Sequence, residues 1–214
     1  MHLKRKTLPK FWPVARTGTK YLAVPSHDQN SAVSLIVVMR DVLELVKTKK
    51  ELEKLLHEKK IMINGKIIGE VNYPVSLFDS LSMPSVKKFY RAGLKNRMVF
   101  EEITEKESKS RIYQVIGKKI LGDKKVQLNF SSGKNLISNE KIDSGDFILM
   151  DNIENKIIKI IPLKENIEVI IIKGKHAGKS GKIKEIVQEG ENKIAKISGK
   201  EDIKVNIKNV FAKS

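Results

Sequence analysis

The spacing of hydrophobic and polar residues changes twice along the chain, and the changes predict three kinds of structure. Residues 1–32 have no sustained periodicity and are interrupted by prolines. From residue 34, apolar residues recur every three or four positions, as in a helix with one buried face. Beyond about residue 84, short apolar runs alternate with polar turns, which is typical of small β structures. The pattern therefore predicts an α+β, multidomain chain.

The first segment, residues 1–33, is predicted to be a basic N-terminal arm. It carries apolar anchors at Phe11, Trp12 and Tyr21 between its helix-breaking residues. An arm of this kind becomes ordered either by packing on a partner or by lying on its own domain. The pattern alone leaves both alternatives open.

Residues 34–84 are predicted to form a compact unit of two helices and a hairpin. Helical spacing connects Leu35, Val38, Met39, Val42 and Leu45. Thr48 and Glu51 have the spacing of a capping box, which predicts that a second helix begins at this point. Asn64-Gly65 lies between two apolar runs and favours a type I′ turn, because both residues tolerate a positive φ.

The remainder of the chain is predicted to be β-rich and to divide near Pro162, giving a central domain at 85–161 and a C-terminal domain at 162–214. Val126, Leu128 and Phe130 alternate with polar residues, as in a strand with one buried face. Further strands are predicted at Phe147–Met150, Ile157–Ile161, Val169–Lys173, Gly181–Val187 and Lys193–Ile197. Strands this short, separated by polar turns, indicate small barrels or sandwiches.

A glycine-rich, basic loop follows one of these strands. Gly174, Gly178 and Gly181 have the Gly-x3-Gly-x2-Gly spacing of the KOW motif, a strand–loop–strand unit of SH3-like β-barrels. A phosphate-binding P-loop needs one more residue before its Gly-Lys-Ser and a helix after it, and here a strand is predicted instead. A purely structural hairpin loop with solvated lysines remains the alternative.

Charge indicates the kind of partner. The 214 residues contain 42 Lys and Arg and 25 Asp and Glu, a formal net charge of +17. Much of the excess lies in four blocks, at 1–25, 47–66, 87–97 and 173–184. Basic clusters on foldable segments favour binding to a polyanion such as nucleic acid. A general preference for lysine at surface positions is the alternative, and it explains the acid-free first block least well.

Other functional classes find no support. There is no cysteine, which excludes thiolate chemistry and cysteine-based zinc sites. The four histidines, His2, His27, His57 and His176, are too scattered for paired metal ligands. No catalytic motif, membrane-spanning run or secretion signal is evident. We expect no enzymatic activity, no cofactor, no metal, no membrane association and no small-molecule substrate.

The motifs together resemble the archaeal and eukaryotic small-subunit ribosomal proteins of the S4e family. The opening His2–Arg5 with Pro9–Trp12, the helix Leu35–Leu43 and the hairpin Ile61–Lys66 are similar to family segments. So are Tyr73-Pro74, Asp79, the three loop glycines and the closing Asn209–Phe211. The resemblance implies an S4-type RNA-binding module at 34–84 and a KOW SH3-like barrel at 162–214.

The resemblance also implies a function, namely a structural constituent of the small ribosomal subunit, on the cytoplasmic ribosome. Its partners would be small-subunit rRNA and neighbouring ribosomal proteins. The residues expected to contact RNA are Lys4, Arg5, Lys6, Lys10, Trp12, Arg40, Lys49, Lys50, Lys60, Asn64, Gly65, Lys66, Arg91, Gly174, Lys175, Gly178, Lys179, Gly181 and Lys182. Trp12 would either stack on RNA or pack on protein.

Two other functions remain to be weighed. A KOW-containing transcription elongation factor, or another RNA-binding factor, is the alternative. An elongation factor would bind RNA polymerase and carry an αβ domain before the KOW unit, whereas the preceding region here is predicted to be β-rich. An RNA-modifying enzyme with an S4-type module would need a larger catalytic domain with an acidic motif, which the sequence lacks.

Overall fold

The computed structural model describes residues 2–122, 125–189, 192–198 and 203–213. The chain has two compact units, residues 1–111 and 112–214, called here the N-terminal and C-terminal units. The fold is mixed α/β with many strands and few, short helices.

Over residues 2–111, the N-terminal unit contains nine strands in three antiparallel sheets. β1 pairs with β2, β3 pairs with β6, and a five-stranded sheet has the order β5-β4-β7-β8-β9. The bounds are β1 Leu3–Lys4, β2 Tyr21–Leu22, β3 Ala32–Ser34, β4 Met62–Ile63, β5 Lys66–Ile67, β6 Pro74–Ser76, β7 Ser80–Met83, β8 Lys88–Leu94 and β9 Met98–Glu102.

Three short helices accompany these strands. α1 spans Leu35–Val37 and continues as a π-helical turn over Val38–Val42, so the helical segment is shorter than the predicted run to Leu45. The Leu43 N–H bonds to the Val38 carbonyl, and Glu44 then adopts a φ of 52°, which ends the helix. The other helices are α2, Lys49–His57, and α3, Glu105–Lys109; short 3₁₀ turns lie at Arg5–Thr7, Pro84–Val86 and Ile207–Asn209.

Thr48 is the N-cap of α2, as predicted, and its hydroxyl accepts from the Glu51 N–H at 3.3 Å. The Glu51 carboxylate in turn accepts from the Lys47 N–H at 2.8 Å. The bond from the Lys47 N–H is the largest cause of a lowered pKa of the Glu51 carboxyl, and the Thr48 backbone N–H and hydroxyl lower it further. A negative charge in the first turn of a helix stabilises the helix, because it interacts favourably with the positive end of the helix dipole.

Most of the apolar side chains of residues 2–33 belong to the core of the N-terminal unit, whereas the predicted anchor Tyr21 is 44% exposed. Leu8, Trp12 and Leu22 are buried in one cluster with residues from α1, α2 and the five-stranded sheet. The Met98 N–H also bonds to the Phe11 carbonyl at 2.8 Å. Of the two alternatives for this segment, the structure has the one in which it lies on its own domain.

The C-terminal unit contains two five-stranded antiparallel sheets. One has the order β12-β11-β10-β13-β14 and the other β18-β17-β16-β15-β19. The bounds are β10 Ser110–Gly122, which starts at the last residues of the N-terminal unit, β11 Lys125–Phe130, β12 Asn135–Ser138, β13 Phe147–Asp151, β14 Ile157–Ile161, β15 Glu168–Ile171, β16 Ser180–Glu189, β17 Asn192–Ser198, β18 Ile203–Asn206 and β19 Val210–Ala212.

Each sheet of the C-terminal unit has its own apolar cluster. Leu128, Ile148 and Met150 lie in one cluster, and Val169 and Ile183 lie in the other. The rings of Phe147 and Phe211, one from each sheet, meet edge to face with centroids 5.2 Å apart. The strands predicted for this half occur in the structure within a few residues of their predicted ends.

The organisation around residue 84 differs from the sequence expectation. β8 and β9 follow the expected division at 84/85 but pair with β7 and so extend the sheet of the β4–β5 hairpin. No helix was predicted after residue 84, whereas the structure has α3 at Glu105–Lys109. Its signal is present in the sequence, because Thr104 and Glu107 form a complete capping box.

Candidate nucleic-acid interface

The turn between β4 and β5 has the predicted geometry. Asn64 and Gly65 have φ values of 50° and 76°, and Met62 pairs with Ile67 across the hairpin. Both polar atoms of the Asn64 side chain have protein partners. Its amide donates to Asp79 at 2.7 Å and its carbonyl oxygen accepts from the Ser80 N–H at 3.0 Å. Asn64 could therefore approach RNA through its backbone while its side chain holds the turn.

Asp79 connects the hairpin to the start of β10. It is 4% exposed, accepts from the Ser76 N–H at 2.7 Å, and forms an ion pair with Arg111. Arg111 also donates to the Leu77 carbonyl at 3.1 Å. Buried carboxylates are tolerated in proteins when such partners satisfy them. Asp79 and Arg111, whose side chains are 6% and 11% exposed, therefore position the turn from inside the unit.

The basic residues expected on the hairpin module are all exposed, and they differ in their partners. Arg40 forms two bonds to Asp41, at 2.7 and 2.9 Å, and the hydrogen bond to Asp41 raises the pKa of its guanidinium. Lys49 pairs with Glu53 at 3.3 Å, and Lys60 pairs with Glu58. Exposed pairs of this type are weak and exchange readily with solvent.

Lys50 and Lys66 differ from Arg40, Lys49 and Lys60 in having no ion-pair partner over the ranges that the structure describes. Both side chains are exposed, on α2 and on β5, and neither contacts a carboxylate among the residues that the structure describes. Lys66 directly follows the Asn64-Gly65 turn. A phosphate could replace solvent at either lysine without breaking an internal ion pair.

Arg5 is engaged in holding its own segment. Its guanidinium donates to the carbonyls of Thr19 and Ala15, at 2.7 Å each, and to the Thr19 hydroxyl at 2.8 Å. It lies close to Gly18, whose φ is 124°. Arg5 therefore fixes the loop between β1 and β2, whereas Lys4, Lys6 and Lys10 are exposed.

Trp12 is 2% exposed and lies in the core of the N-terminal unit. A base could stack on its ring only if the indole left that core, so the structure gives Trp12 the protein-packing role of the two expected. Arg91 is also turned inward. It donates to the carbonyls of Glu107 and Ser110, at 2.6 and 3.0 Å, and burial lowers the pKa of its guanidinium.

The glycine loop of the C-terminal unit is a compact turn between β15 and β16. The Gly178 N–H bonds to the Ile171 carbonyl at 2.8 Å, and the Ile171 N–H bonds to the Lys179 carbonyl at 3.0 Å. Gly174 and Gly178 have φ values of 104° and 87°, a region that other residues rarely adopt. A strand follows the loop, which excludes the helix that a P-loop requires.

Gly181 has a different role from the other two glycines. A β-carbon placed there would lie 2.1 Å from the Ser198 carbonyl oxygen. Glycine is therefore required for the close approach of β16 and β17. The three loop lysines, Lys175, Lys179 and Lys182, are exposed around this fixed backbone.

The predicted RNA-contacting residues thus fall into two groups, one on each unit, and several of them serve the fold. Sequence reasoning missed Arg111, which holds Asp79 from a position 32 residues further along the chain. No local pattern could indicate a pairing over that separation. Over the residues that the structure describes, no cluster of three His, Asp or Glu side chains could hold a metal ion. No helix in the same ranges is long and apolar enough to cross a membrane.

Comparison with known proteins places this arrangement among ribosomal proteins. Residues 92–157 match the model of the ribosomal family S4e. The small ribosomal subunit protein eS4 of Methanocella arvoryzae is 31% identical over 188 residues, which cover 86% of this chain and 80% of that protein. The eS4 protein of Halobacterium salinarum is 34% identical, over 88% of this chain and 84% of its own length. The chain belongs to the ribosomal protein S4e family.

The S4e fold is also seen in a solved structure. The crystal structure of the 30S ribosomal protein S4e from Thermoplasma acidophilum matches with a TM-score of 0.71, over 86% of this chain and 95% of that one. At 24% identity this likeness concerns the fold. The family membership gives no support to the alternative of a KOW-containing transcription elongation factor.

Proposed function

We propose that this S4e protein is a structural constituent of the small ribosomal subunit and that it binds and stabilises small-subunit rRNA. The observation that carries the proposal is Lys66, an exposed lysine that directly follows a hairpin turn held from inside by Asp79 and that has no carboxylate partner among the described residues. Lys50, on α2 of the same unit, is a second exposed lysine of this kind. Relatives named as small ribosomal subunit proteins support the ribosomal location, and with it a cytoplasmic compartment.

The proposed module architecture follows the same argument. Residues 34–84 would act as an S4-type RNA-binding module, with residues 1–33 as its basic extension. Residues 85–161 would form the central β-rich domain, whose first two strands, β8 and β9, extend the sheet of the hairpin. Residues 162–214 would act as a KOW SH3-like barrel, and the sheet order β18-β17-β16-β15-β19 with the glycine loop between β15 and β16 supports this assignment.

The proposed recognition is of RNA shape. Lysine ammonium groups act as point charges for phosphates, and an RNA helix offers phosphates and 2′-hydroxyls more readily than base edges. Lys50 and Lys66 on one unit, and Lys175, Lys179 and Lys182 on the other, would each neutralise phosphate charge. Arg5, Trp12, Arg91, Asn64 and Gly181 would contribute by shaping the surfaces that present these lysines.

Two measurements test this proposal. In a density gradient of cell lysate at physiological salt, the protein should sediment with the small subunit, and its absence from that peak would overturn the assignment. For the purified chain and small-subunit rRNA, log affinity should fall steeply with log salt, by about 0.9 for each phosphate contacted if RNA behaves as duplex DNA does.

Single substitutions locate the contacts. Lys66→Ala should reduce the salt slope by roughly one phosphate contact. Lys95→Ala is the matched control in the same unit, because Lys95 already pairs with Glu101 at 3.1 Å. Equal changes in slope for the two variants would refute the role given to Lys66.

A further inference from the structure

The N-terminal unit contains an open apolar pocket that the proposed RNA contacts do not use. Its volume is about 380 Å³, which is within the roughly 300–1,000 Å³ of sites that take small ligands or side chains. Six apolar side chains line it: Met39, Leu45, Leu55, Ile61, Met83 and Val86.

The pocket has a buried base and an exposed edge. Met39 and Ile61 are fully buried, whereas Leu45 and Leu55 are partly exposed. Val86, on the 3₁₀ turn between β7 and β8, is 60% exposed. A large valine surface left in water at the edge of an apolar cavity is unfavourable until something covers it.

The charge around the pocket has one sign. Lys60 and Lys88 line it together with Ser85, and no acidic residue lines it. Lys88 is exposed and contacts no carboxylate within the described part of the chain. Lys60 pairs with the exposed Glu58, a contact that a better-placed carboxylate could replace. The pocket therefore suits a ligand with an apolar group that enters the cavity and a negative charge next to it that contacts the lysines.

We propose that this pocket receives an apolar side chain from an acidic segment of a neighbouring small-subunit protein, whose carboxylate contacts Lys88. This inference rests on the proposed function, since the partner is another component of the same subunit. Met39 and Met83 suit the role, because unbranched thioether side chains adapt to the shape of an inserted group.

The lining favours protein over RNA as the occupant. Pockets for unstacked bases hold them between aromatic rings or guanidinium planes, with polar groups at the base edge. This pocket is lined by aliphatic and thioether groups and contains neither an aromatic ring nor an arginine. An aliphatic or aromatic side chain fills such a space without leaving polar atoms unpaired.

Photo-crosslinking in assembled subunits tests the proposal. The full chain carrying Val86→p-benzoylphenylalanine is expressed in cells, small subunits are isolated by sedimentation, and the chain is verified in them before irradiation. The expected crosslink, after ribonuclease digestion and mass spectrometry, is to a protein segment with an apolar residue beside Asp or Glu. The same replacement at Ser85, the next residue in the lining, should give the same segment.

The charge requirement is tested by a second substitution in the same chain. Lys88→Glu should reduce the crosslink yield per incorporated chain by about fivefold or more, whereas Lys88→Arg should retain it. Crosslinks mainly to rRNA, to a segment without acidic residues, or to nothing in subunits that contain the chain would overturn the inference. Failure to sediment with the subunit would instead refute the proposed function.

Discussion

The side-chain amide of Asn64 donates to the buried carboxylate of Asp79 at 2.7 Å, which couples the hairpin turn to the interior of the N-terminal unit. The positive φ of Asn64 is commonly explained by the turn alone. Here its side chain also satisfies Asp79 and the Ser80 N–H. The residue is therefore held from both its backbone and its side chain.

Asn64→Ala should destabilise the protein by about 1–3 kcal/mol, because it leaves a buried acceptor and a backbone donor without their partner. Urea denaturation of the purified chain measures this change. Lys66→Ala, two residues away and exposed, should leave the midpoint almost unchanged. Equal stability of the Asn64 variant and the parent would show that the contacts to Asp79 and Ser80 carry no net stabilisation.

Asp79 and Arg111 form a buried ion pair, and breaking it from one side should be costly. Asp79→Asn or Arg111→Met should each reduce the free energy of unfolding by about 3–5 kcal/mol, because the remaining charge is left buried without its counter-charge. The double variant should lose less than the sum of the two losses. Lys118→Met, which breaks an exposed pair with Asp143, serves as control and should have little effect. Additive losses would contradict direct coupling.

Gly181→Ala tests whether this glycine serves the fold. The new methyl group would lie against the Ser198 carbonyl, so β16 and β17 must separate. The expected loss is about 1–3 kcal/mol in thermal or urea unfolding. Gly69→Ala is the matched control, because it has no neighbour within 4 Å and no positive φ; it should be neutral or slightly stabilising. Reduced RNA affinity without reduced stability would instead favour a direct RNA contact at Gly181.

Arg5→Lys should loosen the loop that Arg5 holds, since lysine cannot make the three bonds to Ala15 and Thr19 at once. Loss of about 1.4 kcal/mol of local stability would raise the cleavage rate tenfold. Limited trypsin digestion with mass spectrometry measures this rate at Arg16, an exposed basic residue in the part of the loop that Arg5 holds. Lys6→Ala should leave this cleavage rate unchanged. An unaltered rate in Arg5→Lys would contradict the role of Arg5 in holding the loop.

Glu107 gives a prediction for pH. The bond from the Thr104 N–H, together with that from the Thr104 hydroxyl, lowers the pKa of the Glu107 carboxyl below its ordinary value. Because this pKa is lower in the folded than in the unfolded state, the stabilisation is present above the unfolded pKa and is lost as pH falls through the folded one. A side-chain carbon NMR titration should give a lower midpoint for Glu107 in the native protein than in urea. Coincident midpoints would contradict the capping role.

The sequence predicted those features that depend on neighbouring residues. The Asn64-Gly65 turn and the N-cap at Thr48 follow from local backbone preferences, and the strands of the C-terminal half follow from short alternating runs. The structure confirms each of these. The helix at Glu105–Lys109 was missed although its capping box was present, because the surrounding residues read as β-rich.

Features that depend on distant residues could not be predicted. The Asp79–Arg111 pair joins two positions that share no pattern. The inward turn of Arg91 depends on the carbonyls of Glu107 in α3 and of Ser110 just after it. Arg5 and Arg91 are indistinguishable in sequence from solvent-exposed basic residues. In the structure, however, the guanidinium of each donates hydrogen bonds to backbone carbonyls of the same chain. The basic composition therefore indicated the class of partner, a polyanion, more reliably than it indicated which lysines and arginines are available to contact that partner.

The burial of Trp12 has a consequence for synthesis of the chain. Its core includes Met98, whose N–H bonds to the Phe11 carbonyl. The beginning of the protein therefore cannot complete its packing until residue 98 has left the translating ribosome. Until then the indole and its apolar neighbours remain uncovered beside an acid-free stretch of cations. In that state Trp12 and the basic residues of the first 25 positions are both exposed, and RNA or a chaperone can bind them before the core forms.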